Sequence, residues 1–306
     1  MKRSSCEAVP QYFPTISEAE DLYSTYITNS VLNNFLSCTA IMLNVITMHA
    51  IRKTSSLPKT LKALLLSLAV SDFGVGVLSQ PLYTSLLVKW LRKSIPSCGN
   101  YKVFLVIMLL FSLASLFCVL AISVDRFLAV HLHLRYRELV THKRVVAVVI
   151  LVWLLSGFLS LATLWVPPGI RSTILTISVV VGVLLATMVY IRVYLAVRRH
   201  KNQIQALQVQ EEARTAGEIV HFSSLIKSVV GVFYVYLVFV ACYSPFFICL
   251  AAIKINGPTV ALTRFALFSW TLVFLNSSLN PVIYCWKMRH IRQSIIDILR
   301  NMSPSL

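Results

Sequence analysis

Apolar residues along this chain fall into long runs rather than short alternating or striped patterns. Seven stretches are apolar over about 20 residues or more, the length that crosses the hydrocarbon core of a bilayer as an α-helix. They are 24–51, 61–88, 98–130, 144–166, 173–197, 226–253 and 259–286. Polar residues gather in the connections. The longest, 198–224 (RRHKNQIQALQVQEEARTAGEIVHFSS), is expected to extend the fifth and sixth helices into the cytosol, whereas the fourth and fifth are joined by little more than WVPPGIRST. An eighth segment, 288–302, has a different rhythm. Met288, Ile291, Ile295, Ile298 and Met302 recur every three or four residues, with Arg289, Arg292 and Arg300 between them. That is the pattern of a short basic amphipathic helix lying on the inner leaflet. The predicted fold is an all-α membrane protein: a seven-transmembrane helix bundle with a short amphipathic eighth helix on the cytosolic side. Its parts are a tail at 1–23, the membrane domain at 24–286 and a cytosolic helix and tail at 287–306, with no internal repeat to suggest a second domain.

Composition agrees. The 306 residues are 57% hydrophobic and only 13% charged, where a soluble domain carries about 25% charged residues. The formal charge of +17 invites a nucleic-acid reading, but the lysines and arginines sit in clusters between apolar runs, as membrane topology requires. No zinc spacing, phosphate loop or aromatic–basic run accompanies them, so nucleic acid is not an expected partner; membrane lipid is. With the N-terminus outside, 19 of the 28 basic residues fall on the cytosolic side, which the positive-inside rule favours. The first 21 residues lack the apolar core of a cleavable signal peptide, so the first membrane helix is expected to act as signal anchor. Of seven cysteines, only Cys6 and Cys98 would face an oxidising exterior; a Cys6–Cys98 disulfide and two free thiols are both open, since sequence does not fix their separation.

A few residues break the apolar pattern. Asp72 is the only acid near mid-membrane, where a charge costs about 2.5–3.5 kcal/mol on insertion scales. Asp125 and Arg126 stand together at the inner end of the third span, either as a functional pair or as an interfacial anchor with a snorkelling arginine. Pro245 removes a backbone donor, frees the carbonyl of Ala241 and should kink the sixth helix; Pro281 should do the same in the seventh. No nucleophile–base pair and no protein metal site appears in the spans, so no enzymatic activity is expected.

In order along the chain stand Asn44 and then Leu68-Ala69-Val70-Ser71-Asp72. Asp125-Arg126-Phe127, Trp153 and Tyr190 follow, then Cys242-Tyr243-Ser244-Pro245 and Asn280-Pro281-Val282-Ile283-Tyr284. These motifs resemble those of rhodopsin-like (class A) G-protein-coupled receptors, and the likeness spans nearly the whole chain. The second cytosolic loop, LHLRYRELVT, more loosely resembles adenosine-like and melanocortin-like receptors. The resemblance implies a plasma-membrane receptor that passes an extracellular chemical signal to a heterotrimeric G protein by an outward swing of helix six. It implies that Asp125, Arg126, Tyr190, Pro245, Pro281 and Tyr284 carry activation, with Leu134 as an apolar knob entering the G protein. It implies that Asp72, Ser115, Asn276, Ser277 and Asn280 line a site for a sodium ion acting as allosteric modulator, with no other cofactor. A protonated Asp72 in a structural hydrogen-bond network is the plainer alternative.

By helical position the resemblance places a ligand among Met108, Leu109 and Ser112 on helix three, Phe246, Phe247 and Leu250 on helix six, and Trp270 and Phe274 on helix seven. Apolar lining of this kind is shared by pockets and packed cores. Amine receptors carry an acid where Met108 stands, and opsins a lysine where Phe274 stands, so neither amine nor retinal is expected. The outer loops carry Lys89, Arg92, Lys93, Lys102, Arg171, Lys254 and Arg264 without acids. An uncharged or anionic ligand, a small molecule or a lipid, would suit them, although lysines solvated among headgroups give the same pattern. The chain departs from the family where Tyr243 replaces a tryptophan, where the loop after the fourth helix lacks a cysteine, and where Leu225 replaces the acid that latches Arg126 in some relatives. A non-signalling receptor-like partner and a seven-helix transporter are the other classes. The intact motifs weigh against the first. The absence of repeats and of a chain of titratable groups weighs against the second.

Overall fold

The computed structural model describes residues 20–302 apart from 56, 95, 133–134, 168–169, 171–172, 175, 178–179, 186, 193–194, 196–197 and 199–214; side chains at 137, 215–228, 299 and 301–302 are not described. Helices dominate: α1 Tyr23–Lys53, α2 Lys59–Leu91, α3 Cys98–Leu132, α4 His142–Ala162, α5 Val180–Arg192, α6 Thr215–Asn256, α7 Val260–Lys287 and α8 Arg289–Met302. Among the described residues, α1, α2, α3, α4, α6 (from Val229) and α7 are long and apolar enough to cross a membrane, whereas the stretch expected as the fifth span contains the shorter α5. The early start of α6 agrees with the expected extension of that helix beyond the bilayer. One helical turn, Tyr136–Leu139, lies between α3 and α4.

The bundle is built with its polar side inward. Along α1 a buried stripe runs through Tyr26, Asn29, Asn33, Ser37, Ala40, Asn44, Thr47 and Ile51, three or four residues apart, flanked by buried Thr25, Ser30 and Ala50, while Val31, Phe35 and Met42 are exposed. In hydrocarbon the outward face has nothing to gain by hiding apolar groups, whereas an inward polar stripe lets side chains satisfy one another. Asn44 Nδ2 donates across the bundle to the carbonyl of Ser277 at 2.9 Å, and Trp153 Nε1 on α4 donates to Ser67 Oγ on α2 at 3.0 Å. Thr141 caps α4 and Thr259 caps α7 through their hydroxyls, as short side chains at N-caps do.

A π-helical turn, Val75–Ser79, interrupts α2 just before Pro81. Proline cannot donate to the carbonyl one turn back, and widening the turn redistributes the freed acceptors. Ser37 of α1 supplies one donor, bonding the Gly76 carbonyl at 2.7 Å. Close by, α2 presses against α3 at Gly74, where a Cβ would lie 2.2 Å from the Phe111 ring. That ring is itself wedged edge-on against Trp153, with centroids 6.2 Å apart.

The amphipathic segment begins one residue later than its rhythm suggested. Met288 has extended backbone and closes α7, its N–H donating to Tyr284 O. The apolar face of α8 does more than rest on lipid. Ile291, Ile295 and Ile298 are buried in one cluster with Ala50, Ile51 and Tyr284, and Thr54 Oγ1 lies 2.8 Å from Ser294 Oγ. The eighth helix is thus packed into the inner end of the bundle.

The Gly74–Phe111 contact yields a test. Gly74→Ala should lower the thermal midpoint of the purified protein, at a cost of about 1–3 kcal/mol for overpacking. Gly74→Ala combined with Phe111→Leu should recover part of the loss. Additive losses in the double variant, measured by thermal unfolding in nanodiscs, would show that the ring is not the obstacle.

Candidate functional site

Three groups of residues expected to carry function lie at three depths of one bundle. At mid-depth is Asp72, fully buried on α2. Its Oδ2 accepts from Asn280 Nδ2 of α7 at 2.8 Å. Ser115 of α3 and Asn276 and Ser277 of α7 are buried as well. The hydrogen bonding is incomplete: Asp72 Oδ1, Ser115 Oγ, Asn276 Oδ1 and Asn280 Oδ1 are all buried without a partner. Buried acceptors in this state cost about 1–3 kcal/mol each unless something meets them. Four hard oxygens, one of them on a carboxylate, are the donor set a small hard cation or a cluster of ordered waters would complete.

Below it, at the inner end of α3, Asp125 and Arg126 are both buried. Arg126 Nε donates to Asp125 Oδ2 at 2.9 Å, and Nη2 makes a second contact to the same oxygen. The other carboxylate oxygen accepts from the Tyr136 hydroxyl at 2.7 Å. Tyr136 also lies 3.2 Å from Thr60 Oγ1 at the start of α2. Burial first, and the Asp125 carboxylate second, push the Tyr136 phenol up to about 12, so it stays protonated and donating throughout the physiological range. The pair is therefore clamped from the loop, not merely anchored at an interface. Sequence reasoning did not find Tyr136, because its contact joins a loop to a helix and no periodicity announces it.

Tyr190 is near this level but engaged elsewhere. It accepts from Ser123 Oγ at 2.8 Å and donates to the Val232 carbonyl of α6 at 3.0 Å, joining α3, α5 and α6 through one hydroxyl. Tyr284 is buried in the inner core and its hydroxyl has no partner. Pro245 and Pro281 both lie inside continuous helices, α6 and α7. Leu134 lies outside the described residues, and the side chain of Leu225 outside the described side chains.

Toward the outer end, the residues expected to face a ligand do converge. Phe246 and Trp270 have centroids 4.3 Å apart, and Trp270 and Phe274 6.2 Å. Phe246 meets Phe247 edge-on at 5.4 Å. Met108, Leu109 and Phe274 are buried in the outer core, while Leu250 is half-buried. Ser112 donates to Met108 Sδ at 3.3 Å and stands within reach of Tyr243. Two aromatics escaped the sequence reading. Tyr83 packs 5.4 Å from Phe274 and bonds the Leu267 carbonyl, and Phe104 meets Trp270 at 5.7 Å. Ring-rich helices give no contrast by which such residues could be singled out.

The outer loops carry no acid of their own among the described residues, but the end of the tail brings one to them: Lys93 Nζ bonds Glu20 Oε1 at 2.7 Å, and the lysine holds that carboxyl below the usual carboxylate range. Arg264 donates to the Asp21 carbonyl at 2.9 Å and Lys254 to Thr173 Oγ1 at 2.9 Å. The tail and the loops were read as separate pieces, and the fold lays one on the other. Cys98 is disulfide-bonded, while Cys38, Cys118, Cys242, Cys249 and Cys285 are free; Cys6 lies outside the described residues.

The 7 transmembrane receptor (rhodopsin family) model matches residues 43–167 and 163–284. Adenosine receptor A2a of Canis lupus familiaris is 27% identical over 307 residues, covering 89% of this chain and 69% of that protein. Adenosine receptor A2b of Gallus gallus is 24% identical over 318 residues, covering 91% and 89%. Melanocortin receptor 3 of Rattus norvegicus is 25% identical over 274 residues, covering 86% and 83%.

The clamp on Asp125 is testable by itself. Tyr136→Phe should destabilise the purified protein by about 1.5–3 kcal/mol, the range for a hydrogen bond to a charged group, and be read as a lower thermal midpoint. A variant as stable as wild type would mean that Arg126 alone satisfies the carboxylate.

Proposed function

Because the chain belongs to the rhodopsin family of seven-transmembrane receptors, we propose that it couples an extracellular ligand to a heterotrimeric G protein through an outward swing of α6. The chain is a multi-pass membrane receptor, not an enzyme. The observation that carries the coupling step is Arg126, buried at the inner end of α3 and neutralised by an Asp125 that Tyr136 also binds. A buried guanidinium paired with a carboxylate is a charge that can be redirected once that carboxylate lets go. Tyr190 ties α6 to α3 by single hydrogen bonds at the same level, so a modest rearrangement frees both. Pro245 supplies the hinge, its missing N–H leaving α6 locally weaker. The N-terminus is outside and α8 lies at the cytosolic surface.

The ligand we propose is an uncharged or anionic small molecule or lipid. Phe246, Trp270 and Phe274 offer ring faces, and no carboxylate stands among them to receive an amine. The relatives are named for adenosine and for melanocortin, a nucleoside and a peptide hormone, so kinship alone does not choose between ligand chemistries. Asp72, Ser115, Asn276, Ser277 and Asn280 would hold a sodium ion, whose charge would offset the carboxylate and favour the resting arrangement. The unpartnered oxygens support this reading.

Basal cAMP and calcium signals, compared between wild type and Arg126→Ala at matched surface levels, test the coupling. The expected result is a basal or ligand-evoked signal that falls to that of untransfected cells in the variant. Equal signals under a panel of lipids, nucleosides and small acids would contradict it and favour a non-signalling partner protein. For the ion, the purified receptor should melt at a higher temperature in sodium chloride than in choline chloride of equal strength, and Asp72→Asn should abolish the difference. Equal midpoints for wild type in the two salts would leave a purely structural network at Asp72.

A further inference from the structure

Lys287 is the last residue of α7, where a lysine is free to run outward to water and lipid phosphate. It does the opposite. Its ammonium lies 3.4 Å from the centroid of the Trp286 ring and 4.1 Å from that of Tyr234 on α6, and the two rings are themselves 5.2 Å apart. The charge lies over two rings at once, one of its own helix and one from the helix across from it, at the corner the tilted rings form. No carboxylate pairs with Lys287 among the described residues. One turn before Tyr234 is Gly231. A Cβ there would lie 3.4 Å from Lys287 Cβ and 3.5 Å from Met288 Cγ. Lys287 and Met288 thus lie against α6 beside Gly231, one turn from the ring that the ammonium meets. The negative end of the α7 dipole adds a further attraction for the cation.

We propose that Lys287 is a positioning residue that holds the inner half of α6 against α7 by cation–π contact with Tyr234 and Trp286, and that this contact sets how readily α6 moves. The inference rests on the coupling reading above only for its consequence in signalling; the contact itself is a property of the bundle. It also bears on Leu225, whose apolar side chain cannot pair with Arg126. The restraint that an acid at that position would exert from α3 is exerted here from α7. The contact sits where a swing of α6 would break it, because Tyr234 lies on the cytosolic side of Pro245 and moves with that half of the helix. A cation–π contact at a partly exposed site biases an equilibrium by about two- to fivefold. That is enough to set a basal level without locking the protein.

The test uses full-length protein in nanodiscs. Nitroxide labels on Lys59→Cys of α2 and Val230→Cys of α6, both exposed, are placed in a Cys38→Ser, Cys285→Ala background and report the distance distribution across the inner end. Lys287→Met and Tyr234→Leu should each raise the ratio of long to short distances about two- to fivefold. Lys287→Arg and Tyr234→Phe, which keep the cation and the ring, should leave it unchanged. Unchanged distances in Lys287→Met overturn the proposal, and so does an equal shift in Lys287→Arg, which would reduce the contact to packing of the stem. Basal second-messenger levels are measured for the same variants in cells. A distance shift without a change in signalling keeps the restraint and removes the coupling reading. Altered signalling with unchanged distances removes the restraint alone.

Discussion

One carboxylate in hydrocarbon constrains the whole molecule. Asp72 is buried at mid-depth, where neither lipid nor water in bulk can satisfy it, so its partners must come from other helices. Asn280 supplies one hydrogen bond from α7. Asn44 of α1 then bonds the Ser277 carbonyl one turn away. Those two contacts join α1, α2 and α7 in register, and others along the polar stripe of α1, Asn33 to Thr271 and Ser37 to the Gly76 carbonyl, reinforce them. Asp72 Oδ1, Ser115 Oγ, Asn276 Oδ1 and Asn280 Oδ1 are left buried without partners. The network therefore stops just short of completion, and the missing element is something that donates to, or coordinates with, oxygen.

The rest of the interior divides around this level. At one end, rings from α2, α3, α6 and α7 meet one another at tilted and edge-on angles, with Tyr83 and Trp270 at their centre. At the other end, aliphatic packing runs from α2 and α3 into α6, α7 and the three isoleucines of α8. Several polar contacts in the inner half join different elements: Tyr136 to Asp125, Tyr190 to Ser123 and to the backbone of α6, Lys287 to Tyr234. Contacts of this kind can be exchanged without repacking the aliphatic core, as the proposed swing of α6 would require.

What could be read from the chain beforehand was set by contrast. An aspartate, an arginine or a proline stands out against leucine and valine, so Asp72, Asp125, Arg126, Pro245 and Pro281 were visible, as were the long runs that form the helices. Tyr83 and Phe104 were not, because one more ring in an apolar helix looks like its neighbours until its face is known. Tyr136 and Lys287 are polar and visible, yet their partners come from other elements, and only the fold brings these together. The π-helical turn had a sign in Pro81, but a proline near the middle of a span predicts a disturbance without its form. Glu20 was passed over because it precedes the first helix, and its meeting with Lys93 depends on how the tail lies over the loops.

The dependence of the fold on the Asp72–Asn280 contact is best tested by exchanging the two groups. Thermal midpoint and surface level are measured for Asp72→Asn, Asn280→Asp and the reciprocal double variant. If the contact across α2 and α7 fixes the bundle, each single change lowers both quantities and the exchange restores most of the loss, because one carboxylate and one amide face each other again. A double variant as poor as the sum of the two singles would contradict the account. The carboxylate would then be held by its surroundings on α2 rather than by α7.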